Sequence, residues 1–65
     1  MAYLKTYTLF LRGGGDEGRF EQALCLTASE AMARARELLA DHAECEAIEV
    51  FLGDSLLFRV ARADG

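Results

Sequence analysis

Three side chains could bind a metal ion or act as a nucleophile: two cysteines, Cys25 and Cys45, and the single histidine, His42. The spacing His42-Ala-Glu-Cys45 could offer two ligands to zinc. Structural zinc sites generally need four ligands, and their recognisable motifs contain paired Cys or His residues. We expect Cys25 on the outer face of a strand, remote from the turn that carries the other two. No metal or cofactor is therefore expected.

Catalysis and phosphate binding are the other chemistries that these residue types could support. A Cys-His nucleophile pair would lack an evident third group to orient the base. The glycine-rich residues 13–18 could cradle a phosphate if a helix followed them, but the residues that follow are typical of a strand. We interpret this run as a hairpin loop. A chain of 65 residues also has little volume with which to enclose a substrate, so the sequence predicts a protein that is not an enzyme.

The charge of the chain is negative and unevenly distributed. The formal net charge is −4, and residues 37–58 contain six acidic side chains with no Lys or Arg. Because neutralising phosphates requires a basic patch, we expect no nucleic-acid partner. The acidic segment leaves open a basic protein partner.

Length and composition indicate one compact domain over residues 1–65. Apolar residues make up 52% of the chain and proline is absent, which is typical of a globular protein. No stretch approaches the roughly 20 apolar residues of a membrane span, and no leader pattern begins the chain. We therefore expect a cytoplasmic protein without membrane contact, whose two cysteines are reduced. A core this small would gain from dimerisation.

Residues 27–42 are the only segment with helical periodicity, and the rest of the chain is organised around it. Thr27 and Glu30 form a capping box, in which the carboxylate would reach back to the cap residue. Seven residues recur on one helical face: Ala28, Ala31, Met32, Ala35, Leu38, Leu39 and His42. This amphipathic helix should lie on a core, with Met32, Leu38 and Leu39 providing most of the burial.

The remaining segments predict four strands over residues 3–12, 19–26, 47–52 and 56–62. In the first, the odd positions Tyr3, Tyr7, Leu9 and Leu11 should face the helix. In the second, we assign Phe20, Leu24 and Leu26 to the helix side, with Gln22 among them. For the last hairpin we expect a three-residue loop or a bulge, because that register pairs Leu52 with Leu56, Val50 with Phe58 and Ile48 with Val60.

The predicted fold is α+β in the order ββαββ, a four-stranded, mainly antiparallel sheet with one helix on one face. The outer face then exposes four apolar residues that no element covers: Leu4, Phe10, Phe51 and Leu57. We expect these residues to form the interface of a homodimer, which makes the protein a non-enzymatic interaction module. A small metal- or ligand-binding protein that uses His42 and Cys45 is the alternative.

The run IEVFLGDSLLFRV, residues 48–60, follows an Ala-rich helix. The order of these elements over about the last forty residues resembles that of short uncharacterised bacterial proteins. In those proteins a strand, a helix and a terminal hairpin with a Gly-containing turn recur. The resemblance implies a bacterial ββαββ protein and brings no catalytic motif with it.

Overall fold

The computed structural model describes residues 3–13 and 19–62. Its elements follow in the order β1 (Lys5–Arg12), β2 (Phe20–Cys25), α1 (Ala28–Asp41), β3 (Ala47–Leu52) and β4 (Ser55–Ala61). The strands form one open sheet in the order β2-β1-β3-β4, with every neighbouring pair antiparallel. Because α1 packs on one face of this sheet, the predicted α+β, ββαββ fold is confirmed. Except for Gly13, the predicted loop over residues 13–18 lies outside the described residues.

Helix α1 begins at the predicted cap. The Thr27 hydroxyl accepts a hydrogen bond from the Glu30 backbone N–H at 3.3 Å. The Glu30 carboxylate accepts from the backbone N–H of Leu26, at 3.1 Å, one residue before the predicted partner. The residues that α1 buries are Ala31, Ala35, Leu38 and Leu39. The remaining positions of the predicted face are less covered, since Met32 and His42 are half-buried and Ala28 is exposed.

The inner face of the sheet, against α1, is built from the two central strands. Tyr7, Leu9 and Leu11 of β1 are buried together with Ile48 and Val50 of β3. Register explains this, because Leu9 lies opposite Val50 and Leu11 opposite Ile48, and opposed residues share a face. The odd-position prediction for β1 is thereby confirmed, with one exception. Tyr3 is exposed and precedes the strand, which begins at Lys5.

The face assignment of β2 was wrong. Cys25 is buried and Ala23 packs against the core, whereas Phe20 and Leu24 are 57% and 66% exposed. Leu26 is also exposed and lies in the turn that follows β2. The cause is the register with β1: Phe20 lies opposite Phe10, and Phe10 belongs to the outer face. The small side chains of Ala23 and Cys25 therefore face the alanine-rich surface of α1. Gln22 is exposed on the same outer side.

The β3–β4 hairpin combines a two-residue loop with a bulge. Leu52 lies opposite Ser55 across Gly53 and Asp54, so the predicted three-residue loop and its Leu52–Leu56 pair are wrong. The register then shifts between Val50 and Phe51, which confirms the expected bulge. Beyond it the pairs Val50–Phe58 and Ile48–Val60 occur as predicted. Gly53 has a φ of +62°, whereas the φ of Asp54 is not positive. This combination is typical of a type II′ turn, in which glycine is the first of the two loop residues.

Gly13 and Gly53 provide a matched pair of substitutions, since both have positive φ. A Cβ at Gly13 would lie 2.8 Å from Glu46 Cγ and 3.0 Å from the Glu46 backbone nitrogen, whereas a Cβ at Gly53 meets nothing within 4 Å. We expect Gly53→Ala to cost about 1 kcal/mol of unfolding free energy through its backbone conformation. Gly13→Ala should cost about twice as much, because the clash adds to the same backbone penalty. Equal shifts in chemical denaturation would show that Glu46 moves aside freely.

Candidate interaction surface

The outer face of the sheet is the surface that no described element covers. Strand register defines its apolar members, because each lies opposite another outer residue: Phe20 opposite Phe10, Leu24 opposite Thr6, Phe51 opposite Thr8 and Leu56 opposite Phe51. We call these five residues the outer apolar face: Phe10, Phe20, Leu24, Phe51 and Leu56. The uncharged polar residues beside them are Thr6, Thr8 and Gln22, whereas Phe10 lies opposite Glu49.

Three phenylalanine rings run across the outer apolar face from one strand to the next. The Phe10 ring lies 5.5 Å from Phe20 and 5.3 Å from Phe51, measured between centroids. The second contact is edge-to-face, with an interplanar angle of 79°, which is a favourable arrangement for aromatic pairs. Phe10 and Phe51 are half-buried by their neighbours, while Phe20 remains exposed. The rings thus form one continuous row rather than isolated apolar residues.

The charged residues of the outer face are confined to one end of it. Arg12 Nε donates to Glu49 Oε1 at 2.6 Å, and the Arg12 guanidinium carbon lies 5.4 Å from the centre of the Phe10 ring. Arg59 lies opposite Glu49 on β4. Glu49 thus has an arginine from each neighbouring strand on its own face, and the rest of the face is uncharged.

Two of the four interface residues predicted from the sequence, Phe10 and Phe51, belong to the outer apolar face as strand pairing defines it, and no described strand pair assigns Leu4 or Leu57 to a face. Phe10 and Phe51 are in contact at the centre of the outer apolar face. Leu4 is 60% exposed and precedes β1, and Leu57, 42% exposed, is the extra residue at the bulge. The sequence reasoning missed Phe20, Leu24 and Leu56. An antiparallel β1–β2 register with Phe10 opposite Phe20 would have placed Phe20 and Leu24 on the outer face.

The Cys and His residues are not brought together as a metal site. His42 Nδ1 lies 3.2 Å from Glu44 Oε1, and Cys45 Sγ is 3.5 Å from Arg19 Nη2. Cys25 and Cys45 are both buried free thiols. Within residues 3–13 and 19–62, no group of three or more His, Cys, Asp or Glu side chains could hold a metal ion. The expected outer position of Cys25 was wrong, because β2 presents it to the core.

Glu44 lies between α1 and β3 and contacts Arg19, which precedes β2. Its carboxylate accepts from Arg19 Nη2 at 3.1 Å as well as lying against His42. The Glu44 backbone N–H, and then the Arg19 guanidinium, lower the pKa of this carboxyl below its ordinary value. The ionised form is therefore favoured in the folded protein, and the associated stability is lost as the pH falls through the lowered pKa.

Arg62 closes the turn between α1 and β3, beside a shallow open cleft lined by residues 43–46 and by Arg62 itself. Its Nη2 donates to the backbone carbonyls of Leu39, His42 and Cys45 at 2.6, 2.9 and 3.0 Å. Carbonyls at a helix C-terminus lack partners within the helix, and a cation there also interacts favourably with the helix dipole. Arg62 has a structural role at this site, because its donors are directed at the backbone.

We expect Arg62→Met to lower the free energy of unfolding by about 1 to 3 kcal/mol, since it leaves these carbonyls without a charged donor. Arg62→Lys should recover part of the loss, because a single ammonium can reach fewer carbonyls than a guanidinium. Arg59→Met, three residues earlier on β4, is the matched control and should change stability by less than about 0.5 kcal/mol. Chemical denaturation that ranks the two Met variants equally would contradict this role.

The acidic segment is partly neutralised by arginines from elsewhere in the chain. Three of its six acids form ion pairs: Glu37 with Arg34, Glu44 with Arg19 and Glu49 with Arg12. Arg34 also donates to Glu21 on β2 from both Nε and Nη2. The negative surface open to a basic protein partner is therefore smaller than the sequence suggests.

Within the described residues, no helix combines the length and apolarity that a membrane crossing requires. Comparison with family models, with curated proteins and with solved structures gave no match. Any functional inference therefore depends on the geometry of the chain itself.

Proposed function

We propose that the protein is a non-enzymatic interaction module that forms a homodimer by packing its outer apolar face against the same face of a second copy. The row of Phe20, Phe10 and Phe51 rings supports this proposal, because a contiguous exposed apolar patch on a small domain marks an interaction surface. Aromatic residues of this kind are enriched at the centres of protein interfaces.

A second copy is the partner that this surface fits best. A two-fold interface joins a patch to itself, so the patch must be self-complementary. The half of the face around Leu24, Phe51 and Leu56 meets this condition, because its polar members are uncharged. At the other end, beside Phe10, Glu49 is paired with Arg12 within one chain and lies opposite Arg59. Two such sheets would pack about 10 Å apart with their strands roughly 30° from parallel, as in a β-sandwich.

The size of the face indicates a weak dimer. Four strands at about 4.8 Å spacing and six residues at about 3.4 Å rise give a flat footprint of about 400 Å² per protomer. Both faces together then bury about 800 Å² or somewhat more, below the roughly 1,600 Å² of a standard stable interface. Association should therefore be measured at about 100 μM and above, where complexes of this class are populated.

We expect the wild-type chain to show a mean mass above that of the 7.1 kDa monomer in sedimentation equilibrium, and Phe51→Glu to lower it. An unpartnered carboxylate buried at the centre of the interface is costly. Phe51 also contacts Phe10 within the monomer, so Leu56→Glu is the second variant. Leu56 lies opposite Phe51 on β4 and is 52% exposed, and its replacement should leave the fold intact.

Thr27→Ser and Ala40→Glu, both on the helix side of the molecule, are the controls and should not change the mean mass. Circular dichroism must show that each variant retains its helix. A wild-type mass equal to that of the monomer at the highest concentration would contradict the proposal, as would an association that neither outer-face variant weakens.

We also propose a cytoplasmic location and a bacterial origin. The first is supported by the two free, buried cysteines, since thiols stay reduced in that compartment. The second is supported only by the resemblance of residues 48–60 and the helix before them. Neither bears on the choice of partner surface.

A further inference from the structure

The open edge of the sheet at β2 presents a regular row of backbone hydrogen-bonding groups. Leu11 N–H donates to Arg19 C=O at 3.0 Å, so these opposed residues form a hydrogen-bonded pair. Such pairs alternate along an antiparallel ladder. The backbone N–H and C=O groups of Glu21 and Ala23 therefore point to β1. Those of Phe20, Gln22 and Leu24 point away from it, to the open edge. The next N–H on this side, that of Leu26, is taken by the Glu30 carboxylate, which limits the open row to residues 20–24.

The two edges of the sheet differ in how well they could accept another strand. At β4 a register shift interrupts the ladder, and bulges of this kind discourage edge pairing. The β1–β2 register has no such shift over its described pairs, and residues 20–25 contain no Pro, Gly or Lys. The one charge in β2, Glu21, faces inward and is paired with Arg34 of α1. The β2 edge thus lacks the Pro, Lys and bulge that commonly block pairing, and Arg34 neutralises its inward-facing charge.

We propose that β2 pairs edge to edge with β2 of a second copy, antiparallel, about a two-fold axis at Gln22. This register places Phe20 opposite the partner's Leu24 and Gln22 opposite the partner's Gln22. The three residues of each edge whose backbone N–H and C=O groups point outward then lie opposite those of the other edge. This arrangement allows about six backbone hydrogen bonds. A shift by two residues either way loses a pair, because residue 26 has its N–H occupied and residue 18 precedes the strand.

The side chains are compatible with the same register. On the outer face the exposed Phe20 and Leu24 side chains become cross-strand neighbours, an aromatic–aliphatic pair of the kind that stabilises sheets. On the inner face Glu21 lies opposite the partner's Ala23, so no like charges are directly opposed. Both helices remain on one side of an eight-stranded sheet, and the two outer apolar faces become continuous. This edge contact is distinct from the face-to-face dimer and does not depend on it.

The test uses the Phe51→Glu background, or Leu56→Glu if that variant folds better, so that face-to-face association is removed. We expect the remaining species in sedimentation equilibrium to be a dimer. Gln22→Lys and Gln22→Glu should each give monomers, because a residue at the two-fold axis meets its own charge. An equimolar mixture of the two should restore the dimer through a Lys–Glu pair, which only a self-paired position can do.

Amide hydrogen exchange supplies an independent readout. The N–H groups of Phe20, Gln22 and Leu24 should become protected as concentration rises, while their protection in Gln22→Lys should stay low at all concentrations. The inference is overturned if the background variant is monomeric, if both charge variants remain dimeric, or if the mixture fails to restore the dimer. Failure of the proposed face-to-face dimer has a different signature, namely a wild-type association that Phe51→Glu leaves unchanged and Gln22→Lys abolishes.

Discussion

Replacing Leu38 with alanine is expected to lower the free energy of unfolding by about 2 to 4 kcal/mol, the usual range for truncating a buried leucine. Leu38 is buried in the last turn of α1, in the same core cluster as Leu9, Ile48 and Val50. A domain of 65 residues has a total stability of only about 3 to 10 kcal/mol. Much of the Leu38→Ala population should therefore be unfolded at 37 °C.

Leu24→Ala is the matched control for Leu38→Ala, because it removes the same atoms from an exposed position. It should change stability by less than about 0.5 kcal/mol when both variants are compared by urea denaturation at a few micromolar, where association is negligible. A shift of less than about 1 kcal/mol for Leu38→Ala would mean that α1 does not cover the sheet at this position.

The second large effect is expected from Cys25→Asp, which places a carboxylate on the inner face of β2. Cys25 is 7% exposed and belongs to the core cluster. An isolated charge in such a place costs several kcal/mol unless it becomes protonated. We therefore expect loss of the folded state at neutral pH. Partial recovery should occur at low pH, because a buried carboxylate is stabilised in its neutral form.

Leu24→Asp, one residue earlier, should by contrast stay folded, since its side chain points to solvent from the outer face. Comparison of the two variants by circular dichroism at neutral pH tests the face assignment of β2 directly. A folded Cys25→Asp protein together with an unfolded Leu24→Asp protein would mean that β2 has the orientation predicted from the sequence. In that case Phe20 and Leu24 would leave the outer apolar face.

The sequence predicted the helix and the two central strands because their local patterns are unambiguous. Thr27 and Glu30 mark the start of α1, and the odd positions of β1 are consistently apolar after Lys5. The assignment of β2 failed because both of its faces carry apolar side chains, and the larger ones are on the outside. Only the pairing of Phe20 with Phe10 distinguishes them, and this pairing depends on tertiary register rather than on local composition.

The hairpin and the interaction surface were partly predictable for a related reason. The face-matching argument correctly required an extra residue between Val50 and the turn, but it could not decide whether that residue lies in the loop or in β4. Gly53 with positive φ favours the two-residue loop, so Leu57 becomes the bulge. Phe10 and Phe51 were identified because they are the large apolar residues on the outer positions of strands whose faces were assigned correctly.

In the proposed function, two chains pack together through the outer apolar face. Residues of the two central strands report on this contact without interference from pairing at the β2 edge. Phe10 and Phe51 belong to β1 and β3, so edge pairing at β2 leaves their own outer surface uncovered. Face-to-face packing instead buries both rings against the partner.

The most direct measurement is an isotope-filtered nuclear Overhauser experiment on an equimolar mixture of labelled and unlabelled wild-type chains at about 1 mM, where even a weak dimer is populated. We predict intermolecular contacts from the Phe10 and Phe51 rings to outer-face side chains of the partner, among them Leu56 and Thr8. Intermolecular contacts confined to α1 or to β2, or none at all from these two rings, would contradict the proposed interface.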